Sequence, residues 1–143
     1  MRYAERDERP LTKRELDEIE RYADKLFARV GIDVEFTRHF LDRVNDYRNR
    51  KQISAAELIR LFRKTYQQYG KQIPEMGAEA QAVITDMQTD INVPFVLEYD
   101  RRTKSLDLVS KTVMRKRGFK TSNPVLAITE QLDLLDKALD RLI

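Results

Sequence analysis

One imidazole is available to this chain for proton transfer near neutral pH, that of His39. Arg43 follows by four residues, the spacing at which helical side chains project together, so a guanidinium stands beside the imidazole. A neighbouring cation lowers an imidazole pKa and a bound phosphate raises it. That pairing suits a group that binds a phosphate ester and moves a proton on it. Asp46, Tyr47 and Arg50 continue a neighbouring stripe. A second set lies in residues 106–115. Strand alternation puts Leu106, Leu108, Ser110, Thr112 and Met114 on one face and Asp107, Val109, Lys111, Val113 and Arg115 on the other. The first face turns from apolar to hydroxylic at Ser110 and Thr112, as a phosphate-binding floor requires. Thr112 would donate to a phosphoryl oxygen, while Lys111, Arg115 and Arg117 add charge. Strict alternation separates Lys111 from Thr112, so both serve one site only at a bulge or strand edge. Both sets also have an ordinary explanation. A histidine bordering an apolar stripe packs half-buried on a helix, and threonine is a common strand residue whose basic neighbours face water.

The elements that must position these groups follow from the pattern. Thr12 and Glu15 have capping-box spacing, and Leu16, Ile19, Ala23, Leu26, Phe27 and Val30 recur with helical period before Gly31, which predicts a first helix over about 12–30. After a short bridge, Thr37 caps a second helix whose apolar residues Phe40, Leu41, Val44 and Tyr47 carry it to about Arg48, and Asn49, Arg50 and Lys51 break it. Ser54 and Glu57 form a second capping box. It opens a third helix with Leu58, Leu61, Phe62, Thr65, Tyr66 and Tyr69 inward and Gly70 at its close. Residues 82–85, 93–99 and 106–114 read as strands, with a polar hairpin loop at 100–105. Pro94 cannot donate to a ladder and belongs at a strand start, edge or bulge. Residues 78–90 fit either a helix or a strand. From Thr129, Leu132, Leu135, Leu139 and Leu142 mark a C-terminal amphipathic helix, a surface for a protein partner or a second copy. Residues 1–10 read as a flexible leader, and 11–143 as one domain with its core over about 32–128. The expected class is α+β: N-terminal helices, then an antiparallel sheet, then the C-terminal helix.

Charge is segregated along the chain. Residues 37–71 hold nine basic and three acidic side chains, and 101–120 hold eight basic and one acidic, Asp107. Those segments together carry +13 and the rest of the chain −10, against a formal total of +3. If the two segments share a face, an anionic partner is expected, held by Arg48, Arg50, Lys51, Arg101, Arg102, Arg115, Lys116 and Arg117. The chain has 143 residues and no cysteine, so disulfide scaffolds, thiolate metal sites and cysteine nucleophiles are excluded. One histidine disfavours zinc, and no metal or cofactor is expected. Four scattered glycines form no phosphate loop, and no Gly-x-Ser-x-Gly elbow occurs. No apolar run is long enough to span a bilayer and the opening residues lack a secretory signal, which predicts a cytoplasmic protein without a membrane partner. Tyr47, Tyr66 and Tyr69 suit base stacking, although helical spacing favours core or boundary positions for all three.

Phe36-Thr37-Arg38-His39-Phe40, with Arg43, Arg48 and the capped helix at Ile53-Ser54, resembles the opening of small RelE-like or colicin-like ribonucleases of barnase-type α+β fold. The resemblance covers about residues 36–120 and continues through Lys111-Thr112-Val113-Met114. The chain also looks like small uncharacterised proteins of tailed phages, through Asn92-Val93-Pro94-Phe95 and Ser122-Asn123-Pro124. The ribonuclease resemblance implies metal-independent RNA cleavage by 2′-hydroxyl attack. His39 would be general acid or base, Arg43 and Lys111 would stabilise the charged phosphorane, and Thr112 would orient the phosphate. The first helix and the leucine-rich tail depart from the compact toxin pattern. The competing expectation is a non-catalytic virion or regulatory protein that holds nucleic acid, or another protein, through the basic face and the C-terminal helix.

Overall fold

The computed structural model describes residues 9–129. Both capping boxes form. The Thr12 and Ser54 hydroxyls accept from the backbone N–H of Glu15 and Glu57, and each glutamate accepts from the cap backbone in return. They open α1 (Lys13–Ala28) and α3 (Ala55–Tyr69), and each cap contributes about 1 kcal/mol. Between them lie β1 (Ile32–Phe36), the short α2 (His39–Val44) and a 3₁₀ turn, Tyr47–Asn49. After α3 come α4 (Gln72–Met76), β2 (Gln81–Asp86), β3 (Ile91–Asp100), β4 (Ser105–Ser110), β5 (Met114–Arg115) and β6 (Val125–Ile128).

Six strands make one sheet in the order β1-β4-β3-β2-β6, with β5 paired to the start of β3. The class is α+β, but the sheet is mixed, not antiparallel. β2–β3 and β3–β4 are antiparallel, whereas β1 pairs parallel with β4 and β6 parallel with β2. The parallel pairs involve the two short edge strands, and the chain reaches their partners only through long crossovers, which permit parallel pairing. Residues 78–90 resolve as a turn at 78–79, the strand β2 and a second turn at 87–90. The expected C-terminal helix, with Leu132, Leu135, Leu139 and Leu142, lies outside the described residues, as does all of the leader but Arg9 and Pro10.

Helices α1 and α3 pack together against one sheet face. The inward residues, among them Ile32, Val34, Ile84, Val93, Leu97 and Leu108, meet Phe27, Leu61 and Phe62 from the helices and Phe40 from α2. Phe27, Phe40 and Phe62 are fully buried, each contributing roughly 1.5–3 kcal/mol. Phe36 stacks on Phe40 with centroids 4.2 Å apart, fixing the angle at which α2 leaves β1. The open edge of β1 is capped from α1: the Val34 N–H donates to Asp24 Oδ1 (2.9 Å) and the Phe36 N–H to Glu20 Oε2 (2.7 Å). At the far side of the sheet, Arg60 of α3 forms an ion pair with the fully buried Asp86 of β2.

Two local departures from the expected pattern build the site. First, α2 stops at Val44, not near Arg48. Asn45 turns away to bond both backbone groups of Leu11 at 2.9 Å, and the Asp46 carboxylate accepts from the Arg48 N–H, a local alternative to helical bonding. Thr37 is not the cap of α2. Arg38 holds that position without a side-chain bond, and the Thr37 N–H donates to the Ser110 carbonyl at 3.0 Å. Second, the strand expected over 106–114 ends at Ser110. Pro94, opposite this point on β3, has no N–H to continue the ladder. The Ser110 hydroxyl lies 2.7 Å from the Pro94 carbonyl and 2.9 Å from that of Thr112, so residues 111–113 step off the sheet before β5 rejoins β3.

Candidate functional site

The 3₁₀ turn and the residues that follow Ser110 face each other across a cleft of about 720 Å³. One wall is the segment from Arg43 to Lys51, and the other runs from Thr112 to Arg117, with Asp90 between. Two buried asparagines hold the walls in place. Asn49 donates to the Arg43 and Val44 carbonyls (2.9 and 3.2 Å) and accepts from the Arg115 N–H (2.9 Å), joining one wall to the other. Asn92 donates to the carbonyls of Asp90, Met114 and Lys116 and accepts from the Thr85 hydroxyl. Neither asparagine was singled out for this in the sequence; Asn49 read only as a helix breaker. The signal was weak: a polar amide flanked by cations looks like an ordinary loop.

The cleft lining carries seven cations and two carboxylates. Four of the cations have fixed partners. Arg48 grips Asp46 (2.7 Å) and Arg43 lies 3.8 Å from the same carboxylate. Asp46 is held down at about 2, chiefly by the Arg48 side-chain hydrogen bond and then by the Arg48 N–H. It therefore stays ionised and is a poor proton acceptor near neutrality. Arg117 lies 3.7 Å from Asp90. Arg115 is bound twice by Glu57 (2.8 and 3.1 Å) and donates to the carbonyls of Lys51, Gln52 and Thr89. Its guanidinium is saturated, so it braces the cleft wall and has no donor left for a ligand. Arg50, Lys51 and Lys116 are exposed and make no ion pair among the described residues.

The sequence-predicted residues divide accordingly. Arg43 and Thr112 share the cleft, and the half-buried Thr112 hydroxyl makes no hydrogen bond among the described residues. His39 and Lys111 are exposed and do not line the cleft, so the four expected site residues are not all brought into one concavity. His39 stands four residues, about 6 Å of helical rise, before Arg43. Both flank the Thr37–Ser110 hydrogen bond, His39 two residues past Thr37 and Lys111 one past Ser110. Arg48, Arg50, Lys51, Arg115, Lys116 and Arg117 all line the cleft. Arg101 and Arg102 do not. They sit in the β3–β4 turn, the length of a ten-residue strand and so about 30 Å from the Asp90 end of β3. Among the described residues no group of three or more acidic or imidazole side chains is placed to hold a metal ion, and no helix is long and apolar enough to cross a membrane.

The sheet face turned away from the helices is charged with the opposite sign. Asp33, Asp107 and Glu98 lie directly opposite one another across β1, β4 and β3. Like charges in register destabilise a sheet. Burial, then Asp33, Asp100, Glu35 and Glu98, push the Asp107 carboxyl above its ordinary value, and its Oδ1 is buried without a hydrogen bond. The folded state thus holds this proton more tightly than the unfolded chain does. The resulting cost is present at neutral pH and is relieved as pH falls through the raised value. Asp107→Asn, whose amide can donate to a neighbouring carboxylate, is expected to stabilise the fold at pH 7 by about 0.2–1 kcal/mol in urea unfolding. The advantage should shrink on acidification, and a less stable variant at pH 7 would contradict this assignment.

Glu20 is likewise pushed up, by burial first, against the Phe36 N–H that favours its charged form. The cleft lining is thus mostly basic, while Asp33, Asp107 and Glu98 give the sheet face turned away from the helices an acidic patch. No protein family, curated protein or solved structure matches this chain.

Proposed function

We propose that the chain binds nucleic acid, RNA foremost, with its phosphates in the cleft between the 3₁₀ turn and β5. The observation that carries this is the convergence of Arg50, Lys51 and Lys116, all without ion pairs among the described residues, on the lining of one concavity that Arg115 and Asn49 brace. Basic side chains brought against phosphates displace the cations condensed on the nucleic acid, which drives binding and makes it salt-dependent. The likeness of residues 36–120 to small ribonucleases points to RNA as the polyanion.

A second reading, cleavage, is favoured by Arg43 and Thr112 sharing the cleft lining, with His39 four residues before Arg43 on α2 and Lys111 next to Thr112 in the chain. In such a reaction the 2′-hydroxyl attacks phosphorus and loses its proton to a base, and the 5′-oxygen leaves as it gains one. His39 would take or give one of those protons. Arg43 and Lys111 would offset the phosphorane charge, and Thr112 would donate to a non-bridging oxygen.

Incubating the folded protein with a labelled RNA in EDTA tests both readings. Binding that weakens steeply with salt is expected, and a folded protein that binds no RNA at low salt overturns the proposal. If RNA is cut, and His39→Ala still binds but no longer cuts, cleavage holds. RNA that is bound and left intact restricts the chain to binding.

A further inference from the structure

Tyr66 and Tyr69 pack where helical spacing places them. Tyr66 meets Phe27 edge-on with centroids 5.5 Å apart, and the Tyr69 hydroxyl donates to the Ala127 carbonyl at 2.6 Å. Tyr47 does neither. It opens the 3₁₀ turn with 88% of its surface exposed, the most exposed large apolar residue described; its neighbours Asp46 and Arg48 line the cleft, and Tyr47 itself stands just outside that lining. A single exposed tyrosine needs no explanation by itself. What surrounds it does.

The segment that carries Tyr47 is tied down at nearly every residue. Asp46 accepts from the Arg48 N–H, the Asn49 amide is buried against α2, and the Tyr47 carbonyl accepts from the Arg50 N–H at 3.0 Å. The Lys51 N–H then donates back to the Asn49 carbonyl at 2.7 Å, closing a γ-turn around Arg50 at φ 66°, ψ −55°. That geometry is strained for a residue with a Cβ and persists only where the surroundings impose it. The result is a constrained turn that carries an exposed aromatic ring three and four residues before two cleft cations that make no ion pair among the described residues. An aromatic face beside a phosphate-binding groove offers a stacking surface to a base, and only an unpaired base has a free face to stack. A duplex would present phosphates alone.

We propose that the cleft takes single-stranded rather than duplex nucleic acid, with one unpaired base stacked on Tyr47 while the adjoining phosphates lie on Arg50, Lys51 and Lys116. This rests on the nucleic-acid reading above and specifies its ligand. The chain contains no tryptophan, so Tyr47→Trp introduces a single indole at that turn. Three labelled probes separate the outcomes by fluorescence anisotropy: a single-stranded RNA 12-mer, the same backbone with abasic sites, and a 12-base-pair duplex. Wild type is expected to favour the base-bearing single strand. Tyr47→Ala should weaken that probe about tenfold, leave the abasic probe unchanged and retain the wild-type circular dichroism, with Tyr47→Phe restoring affinity. The indole of Tyr47→Trp should be quenched by the base-bearing strand and not by the abasic one. RNA binding that Tyr47→Ala does not alter, an equal loss on base-bearing and abasic probes, or a preference for duplex overturns the stacking proposal while leaving the cleft as a phosphate site. Failure of the folded protein to bind any probe overturns both.

Discussion

Replacing Arg115 with Ala is expected to cost about 3–5 kcal/mol of folding stability, measured by urea unfolding at pH 7. The side chains of Arg115 and Glu57 are only 13% and 19% exposed, and their bidentate pair joins β5 to the first turn of α3 across 58 positions of sequence. Truncation strands the Glu57 carboxylate together with three carbonyls that lose their donor. Arg115→Lys should recover part of the loss, because one ammonium cannot reproduce the fork. Burial pushes the Glu57 carboxyl up, but the Arg115 hydrogen bonds and the Ser54 N–H outweigh it and hold it below its ordinary value. A carboxylate depressed in the folded state contributes stability above its unfolded value and loses it as pH falls through the folded one. The gap between wild type and Arg115→Ala should therefore narrow below about pH 4. A loss under about 1 kcal/mol would mean that Arg115 is an ordinary surface cation, available to a ligand after all.

Features that depend on neighbours in sequence were legible before the structure. Thr12/Glu15 and Ser54/Glu57 specify their helix starts because the capping atoms lie three residues apart. The β3–β4 hairpin follows from a polar run between two apolar ones. Long-range features were not. The five residues of β1 read as a bridge because an edge strand this short has too little alternation to register, and its parallel pairing with β4 depends on a crossover through α2 and α3. Pro94 was recognisable as a missing donor, but not that its position opposite the end of β4 would release residues 111–113 and carry Thr112 into the cleft.

The site was half legible for the same reason. The spacing of His39 and Arg43 is local, and the two do stand one turn apart on α2. Extending that helix through Tyr47, however, placed its ring inward. The side-chain bonds of Asn45 and Asp46 end α2 early, and the 3₁₀ turn rotates Tyr47 into solvent. Arg115 and Arg50 look alike in the sequence. Only the folded chain shows that Arg115 is enclosed by five acceptors while Arg50 is exposed and makes no ion pair among the described residues, a distinction set by Glu57, Gln52 and Thr89, all distant in sequence.

The largest expected effect on binding comes from removing Arg50, Lys51 and Lys116, the three cleft cations that make no ion pair among the described residues. Arg50→Ala, Lys51→Ala and Lys116→Ala together delete charge from both walls, and none of the three side chains makes a hydrogen bond or ion pair among the described residues, so the fold should be kept. Arg50→Ala retains the positive φ, which alanine tolerates no better than arginine, so this variant adds no relief at the γ-turn. For a single strand each neutralised phosphate contributes about 0.7 to the slope of log affinity against log salt, so three lost contacts lower that slope by about 2. At 0.2 M salt the same arithmetic weakens binding about 30-fold. Charge removed elsewhere serves as the comparison. Arg101→Ala with Arg102→Ala, about 30 Å away in the β3–β4 turn, should change the slope little. The decisive measurement is the salt dependence of single-stranded RNA binding by wild type and the triple variant, followed by anisotropy from 50 to 300 mM. A slope lower by about 2 in the triple variant is expected. An unchanged slope, or an equal fall in the Arg101/Arg102 variant, would contradict the assignment of the cleft as the phosphate-binding surface.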